Sequence, residues 1–375
     1  MRERLDLPHG RLPLPAFLPD GTQGVVRSVD AQDLLACGVQ AVQMNVFHLM
    51  QRPGSSTIQA LGGLHQMAGW ERPLFTDSGG FQVYSLIRQN PKHGSISDKG
   101  ASFRIEGHKY NFTPEKSVQL QMSYGSDVVI CLDDCTHVDD PDDVQAAAVQ
   151  RTVAWARRCK AEFERLAAAK KLEAAARPKL VAVIQGGGSA ALRRQCAAQL
   201  LEMGFDGYGY GGWPLDSDGR LLTDMLATVR EAVPPEFTVH ALGVGQPENV
   251  LACVRLGYEL FDSTMPTRDA RHGRLYAFTE APVNLLAKQA GASFFRYVYV
   301  KDDKHIKDGR PISPFCDCPT CRHYSLGYLH HLYKLNDSLY PRLATMHNLR
   351  FMMQLLAGAG VHSPASDPAA AQSHD

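Results

Sequence analysis

The chain has 375 residues, enough to bury the core of one large barrel or of two ordinary domains. It is 44% hydrophobic and 21% charged, a globular profile, and it lacks the roughly eighteen-residue apolar run that a membrane-spanning helix needs. Lysine plus arginine equals aspartate plus glutamate at 39 each, which excludes a global electrostatic pull on nucleic acid and leaves any RNA binding to local patches.

The opening "MRERLDLPHGRLPLP" has no apolar segment of the secretory kind, so the chain is expected in the cytoplasm. Strand-like runs follow in order: "VQAVQMNVF", "PLFTDSGG", "DVVICLDD", "KLVAVIQGG", "FDGYGYGGW", "FTVHALGVG" and "YELFDSTMP", with "FFRYVYV" as the eighth candidate. Between them lie the helical patterns "SVDAQDLLACG", "TPEKSVQLQMSYG", the long stretch 142–176, "ALRRQCAAQLLEMG", "RLLTDMLATVREAV" and "PENVLACVRLG". In the second of these, Thr113-Pro114-Glu115 supplies a cap, a first-turn proline and an acid near the positive end of the dipole. Apolar strands alternating with amphipathic helices mean a parallel sheet covered by helices. About eight such units over roughly 300 residues predict an α/β fold, a TIM (β/α)8 barrel.

Cys316, Cys318 and Cys321 crowd together in "PFCDCPTCRHYS", and four histidines follow at His323, His330, His331 and His347. Three close thiols in a reducing compartment read as a metal motif, whereas the six scattered cysteines read as small buried hydrophobes. His323 is close to Cys321, and His330 and His331 fall in an apolar helical pattern. His347 lies on the next helix and is placed to fold back. The expected organisation is a single TIM-barrel catalytic domain over 1–357, with a zinc-binding subdomain at about 315–357 and a disordered tail at 358–375.

Catalytic groups of such barrels sit at the C-terminal ends of the strands. Those ends read Asp77-Ser78-Gly79-Gly80, Asp133-Asp134, Gln185-Gly186-Gly187, Gly211-Gly212, Gly243-Val244-Gly245 and Asp262. Carboxylates, an amide and bare backbone suit a planar heterocycle with many hydrogen-bonding edges. Two carboxylates facing one pocket also suit attack at an acetal-like carbon, one as nucleophile and one as acid/base.

The motifs "GTQGVVRSV", "FHLMQRPG", "FTDSGGFQVYSL", "LDDCT", "VIQGG", "FDSTMPTRDARHG" and "CDCPTCRHYS" together resemble the tRNA-guanine transglycosylases, or queuine tRNA-ribosyltransferases, in order from about Pro15 to His347. The resemblance implies exchange of guanine at the wobble position of a GUN anticodon for a 7-deazaguanine, through a covalent RNA intermediate. By position, Asp262 matches the nucleophile and Asp77 the general acid/base. Asp133, Ser78, Gln185 and Gly212 match base contacts, Leu242 and Gly243 the pocket floor, and Arg268 and Arg271 the readers of flanking bases. His272 and Arg274 add to that basic stretch, with Tyr276 and Phe278 as candidate stacking platforms. The resemblance also implies a structural Zn2+ held by Cys316, Cys318, Cys321 and His347, and a homodimer.

Three rival functions are weighed. A zinc deaminase fails because no histidine precedes a glutamate at the required spacing. A non-catalytic RNA-binding paralogue is disfavoured by Asp77 and Asp262. A guanine transglycosylase acting on DNA is disfavoured by the arginine pair. One loop departs from the family: where most bacterial members read like "GGLAVGE", this chain reads "GGWPLDSDG". The resemblance implies that this loop lies against the 7-substituent of the incoming base, so Trp213 and Pro214, which lacks an N–H, are expected to alter which base is accepted: 7-aminomethyl-7-deazaguanine against a carbonyl lip, or queuine stacked on the tryptophan.

Overall fold

The computed structural model describes residues 2–360 apart from 89, 106, 289, 290 and 292. Eight parallel strands form one sheet: β1 (Ala16–Pro19), β2 (Val42–Asn45), β3 (Leu74–Asp77), β4 (Val128–Ile130), β5 (Lys179–Ile184), β6 (Gly207–Tyr210), β7 (Thr238–Ala241) and β8 (Leu260–Ser263). Neighbours pair in sequence order, β8 pairs with β1, and a parallel bridge from Asp20 to Gln43 joins β1 to β2 and closes the ring. The predicted (β/α)8 barrel is therefore the fold.

The eighth strand is not the one expected. Residues 295–299 of "FFRYVYV" pair antiparallel with Arg274–Phe278 outside the barrel. The strand that completes the ring is Ala16–Pro19, hidden because Pro15 precedes it and Pro19 ends it, and both read as breakers. All four of its residues are buried, so it carries none of the period-2 alternation that marks a half-exposed strand. The sequence also gave no sign of the three-stranded antiparallel insertion Gly94–Ser97, Gly100–Ile105 and His108–Phe112 after β3.

Within the ring, strand alternation sends successive residues inward and outward. Leu18, Phe75, Val128, Ile130, Val181, Val183 and Leu260 form the inner core, while Phe17, Val42, Val129 and Phe261 pack under the helices. The inner core continues into Leu5, Leu7 and Leu12 of an N-terminal hairpin, Arg4–Leu7 with Gly10–Pro13, which plugs the bottom of the barrel. Asp127 staples this plug: Oδ1 accepts from the His9 backbone N–H (2.9 Å) and Oδ2 from the Leu74 N–H (2.7 Å). The His9 ring stacks on His65 at 3.7 Å, so this His–His–Asp group is explained as a structural joint. With apolar residues filling the bottom, the polar strand ends are left to converge at the top.

The C-terminal helix, Leu339–Ala359, packs on β1 and on the helices Ala31–Ala36 and Pro247–Leu256, so it belongs to the barrel's own outer ring. The cysteine loop is thus clasped to a barrel helix. This helix includes residues 358 and 359; the remainder of the expected tail, from 361, lies outside the described residues.

Candidate active site and metal clasp

A cavity of about 630 Å3 opens at the C-terminal ends of the strands, lined by Asp20, Asp77, Asp133, Trp213, Leu242 and Asp262 among others. Alternation aims Asp77 inward at the end of β3, because Phe75, two residues earlier, belongs to the inner core. Asn45 Nδ2, at the end of β2, donates to Asp77 Oδ2 at 2.6 Å, and the Gly79 N–H reaches Oδ1 at 3.3 Å. Burial, then the charges of Asp20 and Asp262, push the Asp77 carboxyl well above the usual carboxylate range. The shift is toward the neutral acid form.

Asp262 is held by backbone. The Gly243 N–H donates to its Oδ1 at 3.0 Å, with Gly243 at φ 76°, a conformation that glycine adopts without strain. His240 Nε2 comes within 2.9 Å of the same oxygen without the alignment of a hydrogen bond. Gly243 therefore positions a carboxylate rather than serving only as pocket floor. Leu242 does line the cavity.

The third carboxylate stands opposite. Gln185 Nε2 donates to Asp133 Oδ2 at 2.6 Å and Ser78 Oγ to Oδ1 at 3.2 Å. Burial pushes Asp133 up to about 6, against the opposing pull of those two donors. A Cβ at Gly80 would collide with Asp133, so the second glycine after Ser78 is what lets the carboxylate come this close. Gly212, at φ 84°, and Gly211 complete a bare backbone edge. Beneath it lies Arg193, fully buried, which donates to the carbonyls of Ile184, Gly187 and Gly211 and stacks 3.8 Å over the Tyr210 ring. These donors tie the ends of β5 and β6 together.

The divergent loop is a small hairpin in which Leu215 bridges Leu221 and the Asp216 side chain caps the turn by accepting from the Asp218 and Arg220 N–H groups. The Pro214 carbonyl accepts from Leu222 N–H at 2.9 Å, so one of its two lone pairs is engaged inside the hairpin. Trp213 reaches the cavity, braced edge-on by Phe81 at 5.4 Å and by His137 at 5.8 Å.

Arg268 is exposed at the cavity edge, on the helix Met265–Arg271. Arg271, on the same helix, is depressed by burial and by the charges of Arg27 and Arg268, and its Nη1 has no hydrogen-bond partner among the described residues. Arg274 is instead paired with Asp269 at 2.7 Å. Tyr276 and Phe278 are buried and pack against Phe351, so they are core residues and offer no stacking platform. Sequence reasoning missed Asp20, Gln43, Asn45, His240, Arg193 and Arg27. The one available signal was the inward parity that Asn45 shares with Asp77 at neighbouring strand ends.

Cys316, Cys318, Cys321 and His347 place one ligand atom each within 4.8 Å of the others, a buried cluster able to hold a metal ion. His347 Nε2 lies 2.7 Å from the Tyr276 carbonyl, which can only accept, so Nε2 carries the proton. Nδ1 then turns toward the thiols of Cys321 (3.3 Å) and Cys318 (3.6 Å). A carbonyl fixing the far ring nitrogen is the usual support of a metal-bound imidazole.

With this geometry in view, the whole described chain matches one family. The family model for queuine tRNA-ribosyltransferase covers residues 2–360. The chain belongs to the queuine tRNA-ribosyltransferase family. It is 38% identical over 362 residues to a queuine tRNA-ribosyltransferase of Aromatoleum aromaticum, covering 95% of this chain and 89% of that protein. A member of the same family from Psychrobacter cryohalolentis is 36% identical over 357 residues, covering 95% and 87%. One from Novosphingobium aromaticivorans is 34% identical over 356 residues, covering 94% and 88%. No described helix is long and apolar enough to cross a membrane.

Proposed function

We propose that this chain is a pentosyltransferase that exchanges guanine at the wobble position of tRNAs with GUN anticodons for a 7-deazaguanine, in queuosine modification. Asp262 attacks the anomeric carbon of the target nucleotide while Asp77, as the neutral acid, protonates the departing guanine. The bond from sugar to base breaks as the bond from sugar to the Asp262 carboxylate forms. The incoming 7-deazaguanine then gives its ring N–H proton to Asp77 and its nitrogen displaces Asp262. One N-glycosidic bond replaces another, so no nucleotide energy source is needed.

Asp133, with Ser78 and Gln185 holding it, accepts hydrogen bonds from the donor edge of the guanine, and the Gly212 backbone closes around the base. Leu242 and Trp213 flank it, and the 7-substituent lies against the Trp213 hairpin. Arg268 and Arg271 meet the flanking nucleotides. The metal of the Cys3His clasp is zinc, and its closed ligand set makes it a structural ion. The working form in this reading is a cytoplasmic homodimer, one catalytic barrel per chain.

What supports the reading most is that Asp77 and Asp262 line one cavity, on strands separated around the ring only by β1 and β2. The test is loss of labelled guanine from tRNA on addition of 7-aminomethyl-7-deazaguanine or queuine, with mass spectrometry identifying the inserted base. Retention of the label with both bases, and with the DNA counterpart of the anticodon loop, refutes it.

A further inference from the structure

A third acid lies beside the two carboxylates given to the chemistry, and the mechanism above does not use it. Asp20 follows β1 and Gln43 lies within β2, where the two strands meet through their closing bridge. Both residues line the cavity. Gln43 is only 4% exposed, and its Oε1 has no hydrogen-bond partner among the described residues. Thr22 donates to the Asp20 carboxylate, through its hydroxyl, 2.9 Å from Oδ1 and 2.8 Å from Oδ2, and through its backbone N–H. Those two protons leave the carboxylate, with its roughly four lone-pair sites, with acceptor capacity to spare.

Position decides what these spare acceptors meet. Around the ring β8, β1, β2 and β3 are consecutive, so Asp262, Asp20, Gln43 and Asp77 form one arc of the mouth. Asp133, Gln185 and Gly212 sit at the ends of β4 to β6, on the other side. A nucleoside with its base at Asp133 and its anomeric carbon at Asp262 leaves its sugar over the Asp20–Gln43 arc. The same side carries cations: Arg27 acts electrostatically on Asp20, and Arg27 and Arg268 act on Arg271. Phosphates belong with those arginines, because a phosphate oxygen set against two acceptors is repelled. The backbone group that donates is the ribose hydroxyl.

We propose that Asp20 and Gln43 form a sugar subsite that accepts a hydrogen bond from a ribose 2′-hydroxyl at or next to the exchanged nucleotide, so that this arc selects RNA over DNA. The proposal rests on the reading of Asp262 as nucleophile and Asp133 as base acceptor.

The experiment uses anticodon stem–loop RNAs carrying a single 2′-deoxy substitution at the exchanged nucleotide or at either neighbour. Guanine exchange is measured for the wild-type protein and for Asp20→Ala, Asp20→Asn and Gln43→Leu. At one of the positions the deoxy substitution should cut wild-type kcat/KM by about 10- to 100-fold, the range for a hydrogen bond to a charged group. Asp20→Ala and Gln43→Leu should lose a similar factor on all-ribose RNA and become indifferent to that substitution, whereas Asp20→Asn, which keeps an acceptor oxygen, should lose only part of it. Any intrinsic effect of the deoxy sugar is common to every variant and cancels in the cycle. Folded variants that keep the full deoxy penalty overturn the proposal, as does a wild-type protein indifferent at all three positions. Should Asp20→Ala fail to fold, Gln43→Leu is read by the same criterion. A wild-type protein that exchanges guanine in none of the RNAs refutes the functional reading itself, a distinguishable result.

Discussion

Asn45 Nδ2 donates a 2.6 Å hydrogen bond to Asp77 Oδ2 across the joint between β2 and β3, while Asn45 Oδ1 accepts from the His48 N–H and caps the next helix. One side chain thus shapes the loop and steadies the ionised form of an acid that burial pushes upward. Serine at this position retains the cap but is too short to reach Asp77. Asn45→Ser should therefore raise the Asp77 pKa further and make it a weaker acid toward the departing guanine. We expect kcat for base exchange to fall about tenfold at neutral pH, one charge-assisted hydrogen bond's worth, with KM for tRNA little changed and the alkaline limb of the pH profile shifted upward. A variant with the wild-type pH profile shows that Asn45 does not tune Asp77.

Asp133 gives a pH dependence of opposite use. Its pKa is raised to about 6, so it is a carboxylate above that pH and a neutral acid below it. Guanine donates to the carboxylate, so affinity for the free base should be full at pH 7.5 and weaken as pH falls through about 6, by roughly tenfold per unit once the proton dominates. Calorimetric titration of guanine between pH 5 and 8 checks this. Asp133→Asn should bind weakly with no such dependence.

How much of this was legible in the sequence varies residue by residue, for physical reasons. Asp77 and Asp262 end strands whose preceding residues are continuous apolar runs, so their place at the mouth was readable, and glycine pairs marked where backbone must approach a ligand. β1 was not legible, because a fully buried four-residue strand preceded by one proline and ended by another has neither length nor alternation. Asp20 at its end was lost with it. Tyr276 and Phe278 were misjudged because a basic stretch beside aromatics looks alike whether the rings face RNA or a core. Only tertiary contact with Phe351 separates the two. Arg193 gave no signal, since an arginine inside a helical pattern is usually solvated; here its guanidinium turns under the strand ends.

That arginine carries a stability prediction. It donates to three loop carbonyls in a fully buried setting. Arg193→Met removes the arginine's bonds to the Gly187 and Gly211 carbonyls, while Ile184 O keeps the Gly211 N–H, a loss of about 2 kcal/mol or more given 1–3 kcal/mol for each buried unsatisfied group. Denaturant unfolding should show the loss, and base affinity should fall with it because the ends of β5 and β6 are no longer tied. Arg193→Lys should rescue little, since an ammonium cannot span three carbonyls with a planar fork.

The clasp makes a separate claim. One zinc per chain is expected from elemental analysis of the purified protein, and Cys318→Ser or strong chelation should remove it. Thermal unfolding should shift down first, because the clasp ties the cysteine loop to the helix Leu339–Ala359 that also covers β1. Chelation that abolishes exchange at once, with no change in unfolding, contradicts a structural metal.

The central claim is that Asp262 bonds to the sugar while the guanine is absent. The direct measurement is denaturing electrophoresis and peptide mass spectrometry of the protein quenched with tRNA before an acceptor base is added. The wild type should yield a tRNA adduct lacking one guanine, attached through the peptide containing Asp262, and Asp262→Ala should yield none. An adduct that survives in Asp262→Ala, or that maps to Asp77, contradicts the account.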